Sequence, residues 1–302
     1  MSAVFTFPGQ GAQRPGMLAN WPKHRAFSDT AAEAEQELGI ALNDLDSEQA
    51  LAHSRNVQLA LLICAVAFGR YLLAEGVRPN YVLGLSIGAY PAAVIANSLT
   101  FKDALALVAL RGELMQSAFA SGFGMMAVLG LDPYQLQQLL AQSAARQVYL
   151  ANINADNQSV LSGAWQELET LKVVINSAGG HCQALAVTVP SHCPLLTEQA
   201  QVLQTAFASI EMAAPAIAYV SASKARVLRD VSAIKDDLAM NMARQVHWLD
   251  ASRLLAERGV SAAIELPPSG TLTGLFRRVL PQGHCVGANH TRLDSLRLLC
   301  SG

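Results

Sequence analysis

The sequence predicts an α/β protein in which a parallel-sheet main domain, built from both ends of the chain, is interrupted by a small inserted domain. Three observations predict it. Short β-branched or aromatic runs alternate with longer helical stretches, and one central stretch breaks that alternation with a strand order of its own. Hydrophobic residues make up 52% of the 302 positions and charged residues 15%, enough to bury one large core. Residues 1–123 and 190–302 are assigned to the main domain and 124–189 to the insertion.

Within the main domain, Val4 to Phe7, Tyr81 to Leu83, Ala216 to Val220 and Ala262 to Glu265 read as strands between helices, the pattern of parallel strands joined by crossovers. The central stretch reads as strand (Met125 to Leu129), helix (Pro133 to Ala144), strand (Val148 to Ala151), strand (Ser159 to Ser162), helix (Trp165 to Ala178) and strand (Gln183 to Val189). That is the βαββαβ order of a ferredoxin-like unit.

Charge and composition exclude several functions. The net charge is −2 and no Lys/Arg-rich block occurs, so no nucleic-acid partner is expected. The start lacks a basic region followed by an apolar run, and the most apolar stretch, Leu59 to Ala74, is interrupted by Arg70 and short for a bilayer. A cytoplasmic protein with no membrane partner is therefore expected. Five scattered cysteines without a CxxC pair indicate reduced core thiols, with neither a disulfide framework nor a zinc site.

Gly84-Leu85-Ser86-Ile87-Gly88 has the GxSxG spacing of a nucleophile elbow, a tight strand-to-helix turn that lifts a serine hydroxyl out of the chain. Its context fits: a strand precedes it and a small-residue helix, Ala89 to Asn97, follows. A plain glycine turn is the alternative. A serine nucleophile needs a base. His24, His53, His284 and His290 read as surface or structural residues, and His247 as either. His192, in Val189-Pro190-Ser191-His192-Cys193-Pro194, sits where a strand alternation ends and a helix begins, a junction that holds a side chain in place. A role beside a helix cap is the alternative there.

Thr100-Phe101-Lys102-Asp103 opens a helix that runs past Met115. Arg111 has Leu107, Val108, Leu114 and Met115 as its three- and four-residue neighbours, so it shares the buried face. A guanidinium there requires an anion, either a distant Asp or Glu or a substrate carboxylate. Near the N-terminus, glycines on both sides of Gln10 in Phe7-Pro8-Gly9-Gln10-Gly11 let its backbone N–H approach a ligand as an oxyanion donor, unless the segment is an ordinary turn.

Together these segments resemble the malonyl-CoA:acyl carrier protein transacylase family. The resemblance rests on FPGQGAQ (residues 7–13), NVQLAL around Gln58, GLSIG (84–88), ALRGELMQ (109–116), ANINADNQSVLSG (151–163), VPSHCPLL (189–196) and TLTGL (271–275). It implies an α/β-hydrolase-like core with a ferredoxin-like insertion. It further implies Ser86 as nucleophile, His192 as base, Arg111 as carboxylate clamp, and the amides of Gln10 and Ile87 as the oxyanion hole. Gln58 and Asn154 would support substrate binding, and Asn241 matches the position whose backbone carbonyl orients the histidine. No cofactor and no metal are implied.

Two departures stand out. Leu85 and Ala89 replace the histidine and glutamate that usually flank the nucleophile, and Glu265-Leu266-Pro267-Pro268-Ser269-Gly270 replaces the usual EVGPG. The GLSIGAY form looks most like the epsilon subunit of malonate decarboxylase, which would move malonyl from malonyl-CoA to a carrier subunit. The alternatives are a malonyl transacylase of fatty-acid or polyketide synthesis acting on an acyl carrier protein, a serine thioesterase or esterase, and a non-catalytic docking subunit. Arg14, Arg244, Arg277 and Arg278 are candidates for a surface that meets an acidic carrier.

Overall fold

The computed structural model describes residues 2–19, 21–268 and 270–301, so Ser269 of the Glu265–Gly270 segment lies outside the described residues. Its strands are, in chain order, β1 (Ser2–Phe7), β2 (Tyr81–Gly84), β3 (Phe123–Leu129), β4 (Val148–Ala155), β5 (Gln158–Ala164) and β6 (His181–Ala184). They are followed by β7 (Ala218–Ser221), β8 (Arg226–Leu228), β9 (Val246–His247), β10 (Val260–Glu265) and β11 (His284–Gly287). These build two sheets, ordered β11-β10-β1-β2-β7-β8 and β6-β3-β5-β4-β9.

In the first sheet β11, β10, β1, β2 and β7 are all parallel, and β8 returns antiparallel on β7. A strand buried on both faces reads as a continuous apolar run, and β1 is one: Ala3, Val4, Phe5 and Phe7 are fully buried. The helix Ser54–Ala74 packs in the core beneath this sheet, with Leu59 through Ala67 all buried. Its 21 residues are more than the apolar stretch expected from Leu59, and among the described residues it alone is long and apolar enough to cross a membrane. Its burial accounts for that composition, as expected of a helix that is apolar on every side and packed within a protein. Arg70 leaves the core near its end to pair with Glu33 at 2.7 Å.

The second sheet follows the element order expected for residues 124–189, with helices Pro133–Gln142 and Trp165–Ser177 between its strands. Local chemistry sets the start of the first of these: Asp132 and Gln135 form a capping box, and Pro133 takes the first helical position. One expected strand is corrected. The run Gln183 to Val189 keeps its period-2 burial, Val187 and Val189 in and Ala186 and Thr188 out, but the ladder with β3 ends at Ala184. Alternation reports which faces are buried and not whether a partner strand is present. The sheet also takes in β9 from far along the chain, Asn152 of β4 facing Val246.

Candidate active site

The site forms where β2 ends against the end of β1. A Cβ on Gly84 would lie 2.1 Å from the backbone of Gly88, and one on Gly88 would lie 2.2 Å from the carbonyl oxygen of Phe7. Only glycine permits a turn this close, and the turn leaves Ser86 with φ 55°. His192 has φ 62°, so both residues occupy the left-handed region that costs a non-glycine residue about 1–3 kcal/mol. Surrounding hydrogen bonds hold them there: the His192 N–H donates to the Met242 carbonyl at 2.6 Å, and the Leu85 N–H to Phe7 at 2.9 Å.

The imidazole joins the two halves of the site. His192 Nε2 is 2.8 Å from Ser86 Oγ, while Nδ1 faces the carbonyl oxygens of Asn241 at 2.8 Å and Arg244 at 3.2 Å. Carbonyls only accept, so Nδ1 carries the proton and Nε2 is left as an acceptor facing the serine hydroxyl. Burial, followed by the nearby Arg111 charge, pushes the His192 pKa down to about 4, against the smaller opposing effect of the two carbonyls. The ring is neutral at physiological pH and free to take a proton.

Arg111 lies on the Phe101–Ala118 helix, which Thr100 caps by accepting from the Asp103 N–H at 3.0 Å. The side chain is 1% exposed. Its guanidinium donates to Gln58 Oε1 at 2.5 Å, Asn241 Oδ1 at 3.2 Å and Ser86 Oγ at 3.3 Å, and Nε has no partner. Among the described residues no Asp or Glu forms an ion pair with it. Burial lowers its pKa to about 10, which still leaves it charged at neutral pH. Among the described residues the distant acid that could have made Arg111 a structural ion pair is absent, and neutral acceptors hold its positive charge beside the serine.

A cavity of about 260 Å³ opens over Ser86 and His192, lined also by Gln10 and Leu272 and by Met125 and Asn154 of the second sheet, with Arg111 behind the serine. Gln10 is brought close because Gly9 packs on the elbow, where an added Cβ would be 2.9 Å from the Leu85 carbonyl oxygen. The Ile87 side chain is buried in the core and its amide directly follows Ser86. Gln58 lies behind Arg111 and is fully buried, its Nε2 donating to Ser54 Oγ at 3.0 Å. Asn154 lines the cavity with a buried, unpartnered Oδ1, and so does Asn152, which sequence reasoning did not single out. The period-2 spacing of these two asparagines on one strand was the available signal.

The other histidines lie elsewhere; His24, for example, caps the Arg25–Leu38 helix by accepting from the Ala26 N–H. A larger cavity of about 560 Å³, lined in part by Arg14, Trp21 and Cys64, holds no nucleophile–base pair, and burial pushes the Cys64 thiol up to about 12. The smaller cavity, with its paired serine and imidazole, is the one equipped for chemistry. Cys64, Cys182, Cys193, Cys285 and Cys300 are free thiols, the first four of them buried. Of the arginines proposed for a carrier surface, Arg244 is tied to Asp236 by two hydrogen bonds at 2.6 and 2.9 Å.

Comparison with known proteins identifies the family. The family model described as "Acyl transferase domain" matches residues 4–291. The malonyl CoA-acyl carrier protein transacylase of Salmonella typhimurium is 34% identical over 288 residues, covering 92% of each chain. Among solved structures, the malonyl CoA-acyl carrier protein transacylase of Coxiella burnetii superposes with a TM-score of 0.94 at 29% identity, covering 100% of this chain and 98% of that one. A type II polyketide-synthase acyl-carrier protein in complex with its malonyl-transacylase gives 0.91 at 32% identity, covering 99% of each chain. The alternation of strands and helices, the elbow and the match over residues 4–291 lead to one assignment: the chain belongs to the acyl transferase domain family.

Proposed function

We propose that the chain is a malonyl-CoA:acyl carrier protein transacylase working through an acyl-enzyme on Ser86. One observation carries the reading: a buried guanidinium without an acid partner stands 3.3 Å from a serine hydroxyl that is itself 2.8 Å from a neutral imidazole. Such a cation suits an acyl group that ends in a carboxylate.

In the first half-reaction His192 Nε2 takes the Ser86 proton as Oγ attacks the thioester carbonyl. The amides of Gln10 and Ile87 hold the tetrahedral oxyanion, and the C–S bond breaks. The proton passes from His192 to the departing coenzyme A thiolate. In the second half-reaction His192 takes the proton of the carrier thiol, whose sulfur attacks the Ser86 ester, and Ser86 recovers its proton. Asn241 orients the imidazole through its backbone carbonyl, the part that an acid usually plays in esterases. Both partners of Nδ1 being carbonyls, the esterase reading lacks its orienting acid.

The relatives named for acyl carrier protein transfer and the polyketide-synthase complex favour a carrier of fatty-acid or polyketide synthesis over the malonate decarboxylase carrier suggested by the elbow sequence. At the level of fold, we read the first sheet as an α/β-hydrolase-like core and residues 124–189 as a ferredoxin-like insertion. The strand order β6-β3-β5-β4 supports the latter. Five unpaired cysteines are in keeping with a cytoplasmic enzyme.

Incubation with malonyl-CoA and a holo acyl carrier protein should add one malonyl group to the carrier thiol, read by intact mass. Release of free malonate at the same rate, with or without the carrier, would instead mark a thioesterase.

The pH dependence follows from the His192 shift. Protonated His192 cannot act as base, so kcat/KM should fall only as pH drops through about 4. Once the malonyl carboxylate pairs with Arg111, the charge that helps depress His192 is neutralised, so the pKa seen in kcat should lie above that in kcat/KM. Profiles of both parameters test this. An identical pKa near the ordinary imidazole value in both would remove Arg111 from the electrostatics of the base.

A further inference from the structure

A buried acid held by hydroxyls lies behind the site, and the catalytic cycle does not use it. Asp237, on the helix Val231–Met240, is 2% exposed. Its carboxylate accepts from Tyr219 Oη at 2.9 Å, Ser221 Oγ at 2.6 Å and Ser223 Oγ at 2.5 Å. Among the described residues no Lys or Arg forms an ion pair with it, so three hydroxyls satisfy a buried acid. Tyr219 and Ser221 belong to β7, which pairs with β2, the strand that delivers Ser86.

One turn further along, the C-terminal end of the same helix meets the base. The Asn241 N–H donates to the Asp237 carbonyl, and the Asn241 carbonyl accepts from His192 Nδ1 at 2.8 Å. The neighbouring Asp236 grips the Arg244 guanidinium at 2.6 and 2.9 Å, and the Arg244 carbonyl is the second partner of Nδ1 at 3.2 Å. Tyr90 adds a further tie by donating to the Leu238 carbonyl at 2.9 Å. Asp237, Ser223, Asn241, His192 and Ser86 line one cavity of about 10 Å³, so the tether and the reacting pair are in adjoining layers.

We propose that Asp237 is a positioning residue for His192. It fastens the carbonyl-bearing turn, residues 241–244, to the strand neighbouring the one that carries the nucleophile, and so fixes the imidazole in the Nδ1–H tautomer at hydrogen-bond distance from Ser86. Asp236 assists by holding Arg244. The effect is geometric: a misplaced orienting carbonyl lets the ring turn away from the serine, and general-base catalysis fails at small displacements. This rests on His192 being the base for Ser86, as proposed above.

Two readouts that require no malonyl substrate test it. One is the rate at which a fluorophosphonate labels Ser86; the other is the nitrogen NMR signature of the His192 tautomer in protein labelled with ¹⁵N-histidine. Asp237→Ala should slow labelling by about tenfold or more, up to the roughly 10² to 10⁴ that general-base help supplies in full, and weaken the Nδ1–H signature. Asp237→Asn should restore most of both, because a carboxamide can still bond the three hydroxyls. Tyr219→Phe and Ser223→Ala each remove one of the three bonds and should give smaller losses; they carry the test if Asp237→Ala does not fold.

Wild-type labelling with a wild-type tautomer signal in the folded Asp237→Ala protein, or in both single-bond variants should that protein not fold, would overturn the proposal. So would slow labelling with an unchanged His192 signal, since the loss would then arise elsewhere. A wild-type enzyme in which Ser86 does not react at all would instead overturn the reading of the Ser86–His192 pair.

Discussion

Mixing the enzyme with malonyl-CoA in the absence of an acceptor is expected to leave one malonyl group on Ser86, and Ser86→Ala should carry none. Intact mass reads the result directly. Ser86 Oγ is the atom that both His192 and Arg111 address, at 2.8 and 3.3 Å, and among the described residues no other hydroxyl bonds that imidazole. A malonyl adduct that persists in the alanine variant would remove Ser86 from the mechanism. His192→Ala should slow both half-reactions by about 10² to 10⁴, because in the proposed cycle the same Nε2 removes the proton from Ser86 in one and from the carrier thiol in the other. Acylation at the wild-type rate in that variant would leave His192 as a structural residue.

The second large effect concerns selectivity. Arg111→Ala should lower kcat/KM for malonyl transfer by roughly 10² to 10³, in line with the cost of removing one partner from a buried charged pair. Acetyl transfer should survive or improve. With an acetyl group in the site the wild-type guanidinium keeps only its neutral acceptors, so its removal relieves a buried cation that this substrate cannot neutralise. Arg111→Lys should recover little, since a point charge cannot reproduce a planar fork. The measurement is kcat/KM for both thioesters in the three proteins, with a melting curve for each. Equal losses for both substrates in a folded Arg111→Ala protein would assign the carboxylate preference to another group.

Several features that these experiments probe were legible in the chain itself, each for a local reason. The elbow could be read because close backbone crossing excludes any Cβ at Gly84 and Gly88, so the glycine spacing is dictated by sterics. Arg111 could be placed on a buried face because its three- and four-residue neighbours are apolar, and helical geometry then fixes its direction. The start of its helix was visible in Thr100 and Asp103. The strand and helix order of the central stretch followed from hydrophobic periodicity, and failed only where alternating burial continued past the end of β6.

Tertiary structure decided what those residues meet. Arg111 bonds Gln58 and Asn241, 53 and 130 positions away, so whether it had an acid partner was a question of packing that no local pattern answers. Asn241 entered the sequence reading only through resemblance, and its two contacts explain why. Its side chain accepts from Arg111, but it is the backbone carbonyl that meets His192 Nδ1. Arg244, read as a surface cation, likewise acts on His192 through its carbonyl while its guanidinium is held by Asp236. Asp237, Tyr219, Ser221 and Ser223 come together only when a helix docks on a strand that precedes it in the chain. Side chains that contact the core or a helix cap leave a mark in residue type and spacing. A carbonyl that orients a base leaves none, because every residue has one, and only the folded chain determines which of them reaches the imidazole.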